Sequence, residues 1–270
     1  MFKGIAFFLA AAALATTAQA QPAWPAARPI TIIVPFSAGG SVDVTARLVG
    51  QKLAERLKQS VVVENVAGAG GTIGVAKAAH ATPDGYTLLL GADSPIAIAR
   101  LVNPAAVKYD PLKDLAPVGL VTTAPMVLVA RPGLPANTLA EVLKLARQNP
   151  GQLSYATPNI LARKMKGIAI TDDKRLATLP DVPAVAETPG FKGFDVVAWT
   201  GLFAPAQTPA AVIERLNREL NEVLRSEEIR GKMQEQGAIG GSGSAAQFAV
   251  FVQREEERYV RIVKAANIKE

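Results

Sequence analysis

The 270 residues contain no cysteine and only one histidine, His80. Without thiols there is no disulfide framework and no thiolate metal site, and one imidazole cannot build a zinc centre, so no metal is expected. Charged residues are scarce at 19% and aromatic residues scarcer at 6%, against 49% hydrophobic. That balance excludes extended disorder and leaves a folded chain able to bury a real core. The serine-hydrolase signature G-x-S-x-G and the S-x-x-K pair are absent, so both nucleophile chemistries lack their local marks. His80 stands at the end of a short helical pattern, where it reads as a favourable C-terminal residue rather than a general base. Beyond residue 20 no run is long and apolar enough to span a bilayer.

The first twenty residues are a separate matter. Lys3 in a short basic start, an apolar run over 4–14 and the small-x-small triplet Ala18-Gln19-Ala20 read as a secretory signal peptide, with the mature chain beginning at Gln21. The net charge of +6 carries no nucleic-acid signature. Arg47, Lys52, Arg56 and Lys58 fall on one predicted helix, and Arg215, Arg218, Arg225, Arg230 and Lys232 on another, interleaved with glutamates such as Glu55, Glu219 and Glu228. This is the pattern of solvated helix faces with i,i+4 pairs, and no aromatic residues stud it.

What is present in quantity is turn chemistry, 22 glycines and 19 prolines, between short β-branched runs. Residues 30–34 (ITIIV), 60–66 (SVVVENV) and 86–90 (YTLLL) read as buried strands. Val42, Ala46, Val49, Leu53 and Leu57 repeat at helical spacing between the first two, and 72–80 gives a shorter helix before the third. Strand, helix, strand, helix, strand implies parallel pairing with right-handed crossovers, so the first part of the chain is α/β. A new unit starts after 118–121, where 125–130 is another apolar run, and further strands are predicted at 152–156, 166–171 and 195–203. A helix opens at the capping box Thr138-Leu139-Ala140-Glu141 and runs to 148. Thr208-Pro209 reads as a cap and N1 proline of a helix carrying Val212, Ile213, Leu216, Leu220, Val223 and Leu224, and Ser244 as the cap of a final helix. In that last helix the run Arg254-Glu255-Glu256-Glu257-Arg258 reads as the solvent face.

Two Gly-rich strand-to-helix turns carry the chemistry. PFSAGGSVD (35–43) and NVAGAGGT (65–72) each leave a strand and feed a helix N-terminus, where free N–H groups and the helix dipole favour an anion. In an open parallel sheet both turns lie on the ligand-binding edge, and two such turns one strand apart can grip one small carboxylate. The dinucleotide fingerprint fails because the third glycine falls at Gly74, one residue late, and neither turn is a phosphate loop. The bland alternative is that the glycines only make tight turns and Asp43 only complements its helix dipole. Phe36 is open in the same way, either stacking on a ligand or plugging the core beneath the turn.

PFSAGGSVD, VVVENVAGAGGTIG, TPDGYTLLLG, YDPLKDLAPVGLV, TLPDVPAVAE and WTGLFAPAQTPAAVIERLN, in this order over nearly the whole mature chain, resemble the Bug-type extracytoplasmic solute receptors of tripartite tricarboxylate transporters. The resemblance implies a two-lobed, type II periplasmic-binding fold that closes on a small organic carboxylate and delivers it to a membrane permease. It implies a periplasmic monomer without catalysis or cofactor. Carried over by position, the ligand contacts are Phe36, Ser37, Gly39, Gly40 and Ser41 from the first turn and Gly70, Gly71 and Thr72 from the second. Asp43 is placed to meet an amine or hydroxyl of the ligand, and Ser94 adds a weaker contact after the third strand. The lobes implied are 21–122 with 201–270, and 123–200.

The pattern breaks after SYATPN (154–159). Family members continue there into a turn opening a helix, a strand ending in a Pro-Tyr-Lys-Gly-like turn, another helix and a strand with an acidic residue. This chain passes directly to ILARKM (160–165) and rejoins at KGIAIT (166–171), so several tens of residues are missing from the second lobe. Half the donors to a ligand are expected to go with them. Three accounts fit the gap: a degenerate paralogue or internally deleted gene, a receptor with a remodelled lobe, or a protein kept for another role such as partner binding. The rival from another class is a small-molecule enzyme on the same fold.

Overall fold

The computed structural model describes residues 24–153, 165–176 and 178–268. The predicted leader, most of the predicted strand at 152–156 and nearly all of the junction at 154–165 lie outside these residues. Strand β1 (Ile30–Val34) leads into helix α1 (Ser41–Leu57), β2 (Val61–Asn65), α2 (Thr72–Ala79) and β3 (Thr87–Ala92). β1 pairs in parallel with both β2 and β3, as the alternation of elements predicts. A short helical stretch, ending in α3 (Ala99–Val102), precedes the long strand β4 (Leu115–Pro125).

The chain then leaves the main sheet. β5 (Val127–Ala130), α4 (Leu139–Gln148) and β6 (Lys166–Ile170) form a small unit in which β5 and β6 pair antiparallel. Thr138 and Glu141 close the capping box that opens α4. Its core is Ala130, Leu139, Ile168, Ala169 and Val185, with Phe191 and Phe194 packed against them. β7 (Val197–Pro205) brings the chain back, followed by α5 (Ala210–Arg225), α6 (Glu227–Glu235), the two-residue β8 (Ile239–Gly240) and α7 (Ala245–Ala266). The main sheet runs β2-β1-β3-β7-β4-β8. β7 is antiparallel to both β3 and β4, and its pairing with β4 extends from Leu115↔Pro205 to Pro125↔Val197. The expected lobe boundaries at 122/123 and 200/201 therefore fall inside this paired ribbon, which carries both crossings between the units.

Both faces of the main sheet are covered, which is why its central strands are continuously apolar. Ile30, Ile32, Val34, Leu88, Leu90 and Leu202 pack toward α1, α5 and α6. Ile33, Leu89, Trp199 and Phe203 pack toward α2 and α7. No helix among the described residues is long and apolar enough to cross a membrane.

Three local expectations are corrected. The basic residues from Arg215 to Lys232 do not share one helix: Ser226 adopts an extended conformation, its hydroxyl donates to the Val223 carbonyl, and α6 restarts after it. Thr208 does not cap α5. Its hydroxyl donates to the Pro205 carbonyl at 2.7 Å, and Pro209 supplies the first helical acceptor, to Val212 and Ile213. Glu255 is not on the solvent face. It is 1% exposed and stands on the same stripe of α7 as Phe248, Val252 and Tyr259, because 3.6 residues per turn bring position 255 inward between 252 and 259. Arg258 lies 3.2 Å from its carboxylate.

Candidate functional site

β1, β2 and β3 end on one edge of the sheet. Because β7 runs antiparallel to β3 and β4 runs antiparallel to β7, the start of β7 (Val197–Thr200) and the end of β4 (Thr122–Pro125) rise from that same edge toward the second unit. The first turn, from Pro35 to Gly40, is held from inside. Asp43, 3% exposed, accepts from the Gly39 N–H at 2.9 Å, from Arg47 Nε at 3.1 Å and from Asn65 Nδ2 at 2.9 Å. Asn65 also donates to the Phe36 carbonyl at 3.1 Å, tying the end of β2 to the turn after β1. These bonds, led by Arg47, lower the Asp43 carboxyl to about 2. Asp43 thus braces the turn with groups of the chain itself, and the Gly39 N–H is engaged with it. Arg47, which the sequence placed on a solvated helix face, and Asn65 complete this brace.

The brace has a testable pH consequence. Asp43 has a folded pKa below its ordinary 3.8, so its contribution to stability is fully present above that value and is lost as the pH falls toward 2. Asp43→Asn is expected to cost about 1–3 kcal/mol at pH 7, from weakened charge-assisted hydrogen bonds. Thermal melts of both proteins at pH 7 and pH 3 check this, the gap between them closing in acid. A gap that stays constant would mean the carboxylate charge is not what holds the turn.

α1 opens at Gly40 with no side-chain cap, its first helical bond running from Val44 N–H to the Gly40 carbonyl at 3.0 Å. α2 likewise opens without a side-chain cap, at Gly71, which takes φ +98°. The donors of both first turns therefore receive no acceptor from their capping side chains. Gly71 is also where three segments meet: a Cβ there would stand 3.2 Å from Pro95 and 3.3 Å from the Pro35 carbonyl. Thr72 is 4% exposed and its hydroxyl donates back to Ala69 at 3.0 Å.

Two open clefts flank these turns. The first, about 360 Å³, is lined by Phe36 and Ser41 of the sequence-predicted set, and by Asp93, Thr122, Trp199 and Thr200. The second, about 410 Å³, is lined by Gly70, Thr72 and Ser94 of that set and by Asn103. Ser37, Gly39, Gly40, Asp43 and Gly71 line neither and build the turns instead. Phe36 packs against the core cluster around α1 and also borders the first cleft. The hydroxyls of Thr122 and Thr200 lie 2.7 Å apart across the ribbon. Asp93 caps the stretch after β3, its Oδ1 accepting from the Ser94 N–H at 2.8 Å, and burial pushes its carboxyl up to about 6. Asp93, Thr122 and Thr200 reach this edge through strand order, which no local spacing records. Among the described residues no group of acidic or imidazole side chains is arranged to hold a metal.

The family model for the tripartite tricarboxylate transporter receptor matches residues 45–162 and 156–268. The two matched pieces meet at 156–162, where the sequence loses its family pattern. Protein BugT of Bordetella pertussis is 30% identical, with 98% of this chain and 97% of that protein covered. The alignment runs over 319 positions, more than the 270 residues of this chain, so the chain lacks tens of residues that its relative has. Among solved structures, a Rhodopseudomonas palustris protein with adipate is 28% identical at a TM-score of 0.81, covering 92% of this chain and 100% of that one. MatC of Rhodopseudomonas palustris with bound malate is 29% identical at a TM-score of 0.76, covering 89% and 100%. The fold is thus the two-lobed α/β architecture of periplasmic binding proteins with a shortened second lobe, and the chain belongs to the receptor family of tripartite tricarboxylate transporters, solute-binding proteins rather than enzymes.

Proposed function

We propose that this receptor captures a small organic carboxylate at the edge where β1, β2 and β3 end, and hands it to the membrane permease of a tripartite transporter. The observation that carries the reading is the pair of helices, α1 and α2, that open toward one sheet edge with no side chain capping either. Their N–H groups and dipoles make an anion site from backbone alone. Phe36 and Ser41 would serve one end of the ligand and Gly70, Thr72 and Ser94 the other, on turns that Ser37, Gly40 and Gly71 build. Asp43 and Gly39 hold the first turn in shape. Adipate and malate, present in two structural neighbours, are both dicarboxylates and support this class. The lobes would be 21–122 with 201–270 and 123–200, the ribbon of β4 and β7 serving as hinge. An export leader ending at Ala20 places the mature monomer in the periplasm.

A shortened second lobe contributes fewer donors. Losing three or four charge-assisted hydrogen bonds at roughly 1.5–3 kcal/mol each moves a micromolar site to the millimolar range or weaker. Calorimetry or ligand-detected NMR on the full mature chain, with a panel of mono- and dicarboxylates and their amides, tests the function. Saturable binding of a carboxylate, absent for its amide, is expected. Equal response to carboxylate and amide, or none to either, would refute an anion site.

A further inference from the structure

The first cleft has one feature that backbone donors do not explain, an acid on its wall. Asp93 lines it together with Ser41, Thr45, Thr122 and Thr200, while the other lining side chains, including Phe36, Trp199 and Gln236, carry no charge. Asp93 makes one side-chain hydrogen bond among the described residues, accepting from the Ser94 N–H, and no ion pair. The titratable groups that face it belong to α7: Glu255, itself raised by burial, and Tyr259. Of these, Glu255 is the one acid, paired with Arg258 at 3.2 Å, and Tyr259 is a neutral phenol that burial holds well above its ordinary value. α1, β4, β7 and the segment at 236–238 present only uncharged groups to the cleft.

An ionised carboxylate in a desolvated wall repels another carboxylate and attracts a hydrogen-bond donor. Resting on the carboxylate-binding reading above, we propose that Asp93 is the residue that sets ligand class, selecting a carboxylate that carries a hydroxyl or ammonium group over an unsubstituted dicarboxylate. The hydroxyls of Thr122 and Thr200, facing the same space, complete a polar wall suited to a substituent that both donates and accepts.

The position of Asp93 near pH 6 makes the selection pH-dependent, with a definite sign. Above that pH the side chain is an anion and an acceptor only. Below it the carboxyl is neutral, donates a proton of its own, and no longer opposes a second ligand carboxylate. Affinity for an unsubstituted dicarboxylate should therefore rise as the pH falls through 6, and preference for the substituted ligand should fade. His80 caps the C-terminal end of α2 and lines neither cleft.

Calorimetry or ligand-detected NMR with succinate, malate and aspartate at pH 5 and pH 8, on the mature protein and on Asp93→Asn, tests the assignment. At pH 8 malate or aspartate is expected to bind at least about tenfold more tightly than succinate. Asp93→Asn, which keeps an oxygen for Ser94 N–H, should raise succinate affinity about tenfold at pH 8 and erase the preference. The ligands titrate identically with both proteins, so the comparison isolates Asp93. Succinate affinity and preference left unchanged by Asp93→Asn, with binding intact, would overturn the role of Asp93 and leave the carboxylate site standing. No response of the unaltered protein to any of the three ligands at either pH would overturn both.

Discussion

Gly74→Ala is expected to cost about 3 kcal/mol of stability, enough to lower the melting temperature by roughly 6–12 °C. A Cβ at position 74 would stand 2.6 Å from the Val66 carbonyl oxygen and 2.7 Å from the Pro35 Cα, both backbone atoms at the ends of β2 and β1. Neither can move aside as a flexible side chain would, so α2 must lift off the sheet. The same displacement carries Gly71 and Thr72 away from Pro95 and the first turn, so any ligand affinity should fall with the fold. Gly70→Ala is the informative comparison. It has φ +63° and open space within 4 Å, so its cost is backbone strain alone, on the order of 1 kcal/mol. Thermal or denaturant unfolding distinguishes them. If Gly74→Ala melts no lower than Gly70→Ala, close approach is not the reason for glycine at 74.

Gly40→Val is expected to leave the fold intact and remove most carboxylate binding, by about a hundredfold or more. Gly40 has φ −74° and ψ 166°, extended backbone that valine adopts readily, and a Cβ there meets only the Ser37 carbonyl at an ordinary 3.6 Å. An isopropyl group at the mouth of α1 nevertheless screens the first-turn N–H groups from an approaching anion. Lys52→Ala is the control. It deletes a 2.9 Å ion pair with Glu228 on the outer side of α1, a contact worth little at an exposed site, and should leave affinity unchanged. A melting temperature near that of the unaltered protein with lost binding is the expected result for Gly40→Val. Undiminished binding would remove the first turn from the site.

Local patterns carried the elements because the physics behind them is local. The β-branched runs at 30–34 and 61–65, the helical spacing from Val42 to Leu57 and the Thr138 to Glu141 box each depend on residues a few positions apart. The parallel order of β2, β1 and β3 followed from their alternation with helices, and the two Gly-rich turns from glycines at which φ is positive or backbones touch. The break in family pattern after residue 159 was equally legible, since an absence in an ordered series of motifs needs no coordinates, and the two matches of the family model meet at 156–162.

The tertiary structure decided how those pieces were used. Asp43 is a brace because Asn65, 22 residues away, converges with the nearby Gly39 N–H on it, and the pairing of β1 with β2 rather than spacing brings Asn65 there. Glu255 lies inside a run of charges, and only the packing of α7 on Trp199 and its neighbours shows that its stripe faces inward. Asp93 joins Thr122 and Thr200 on one wall because β7 enters the sheet antiparallel between β3 and β4. Sequence determined which residues turn, cap and bury themselves, because those choices are settled by neighbours along the chain. Which polar groups face a ligand and which face one another was settled by strand order, since the energy of a buried polar group depends on what surrounds it in space.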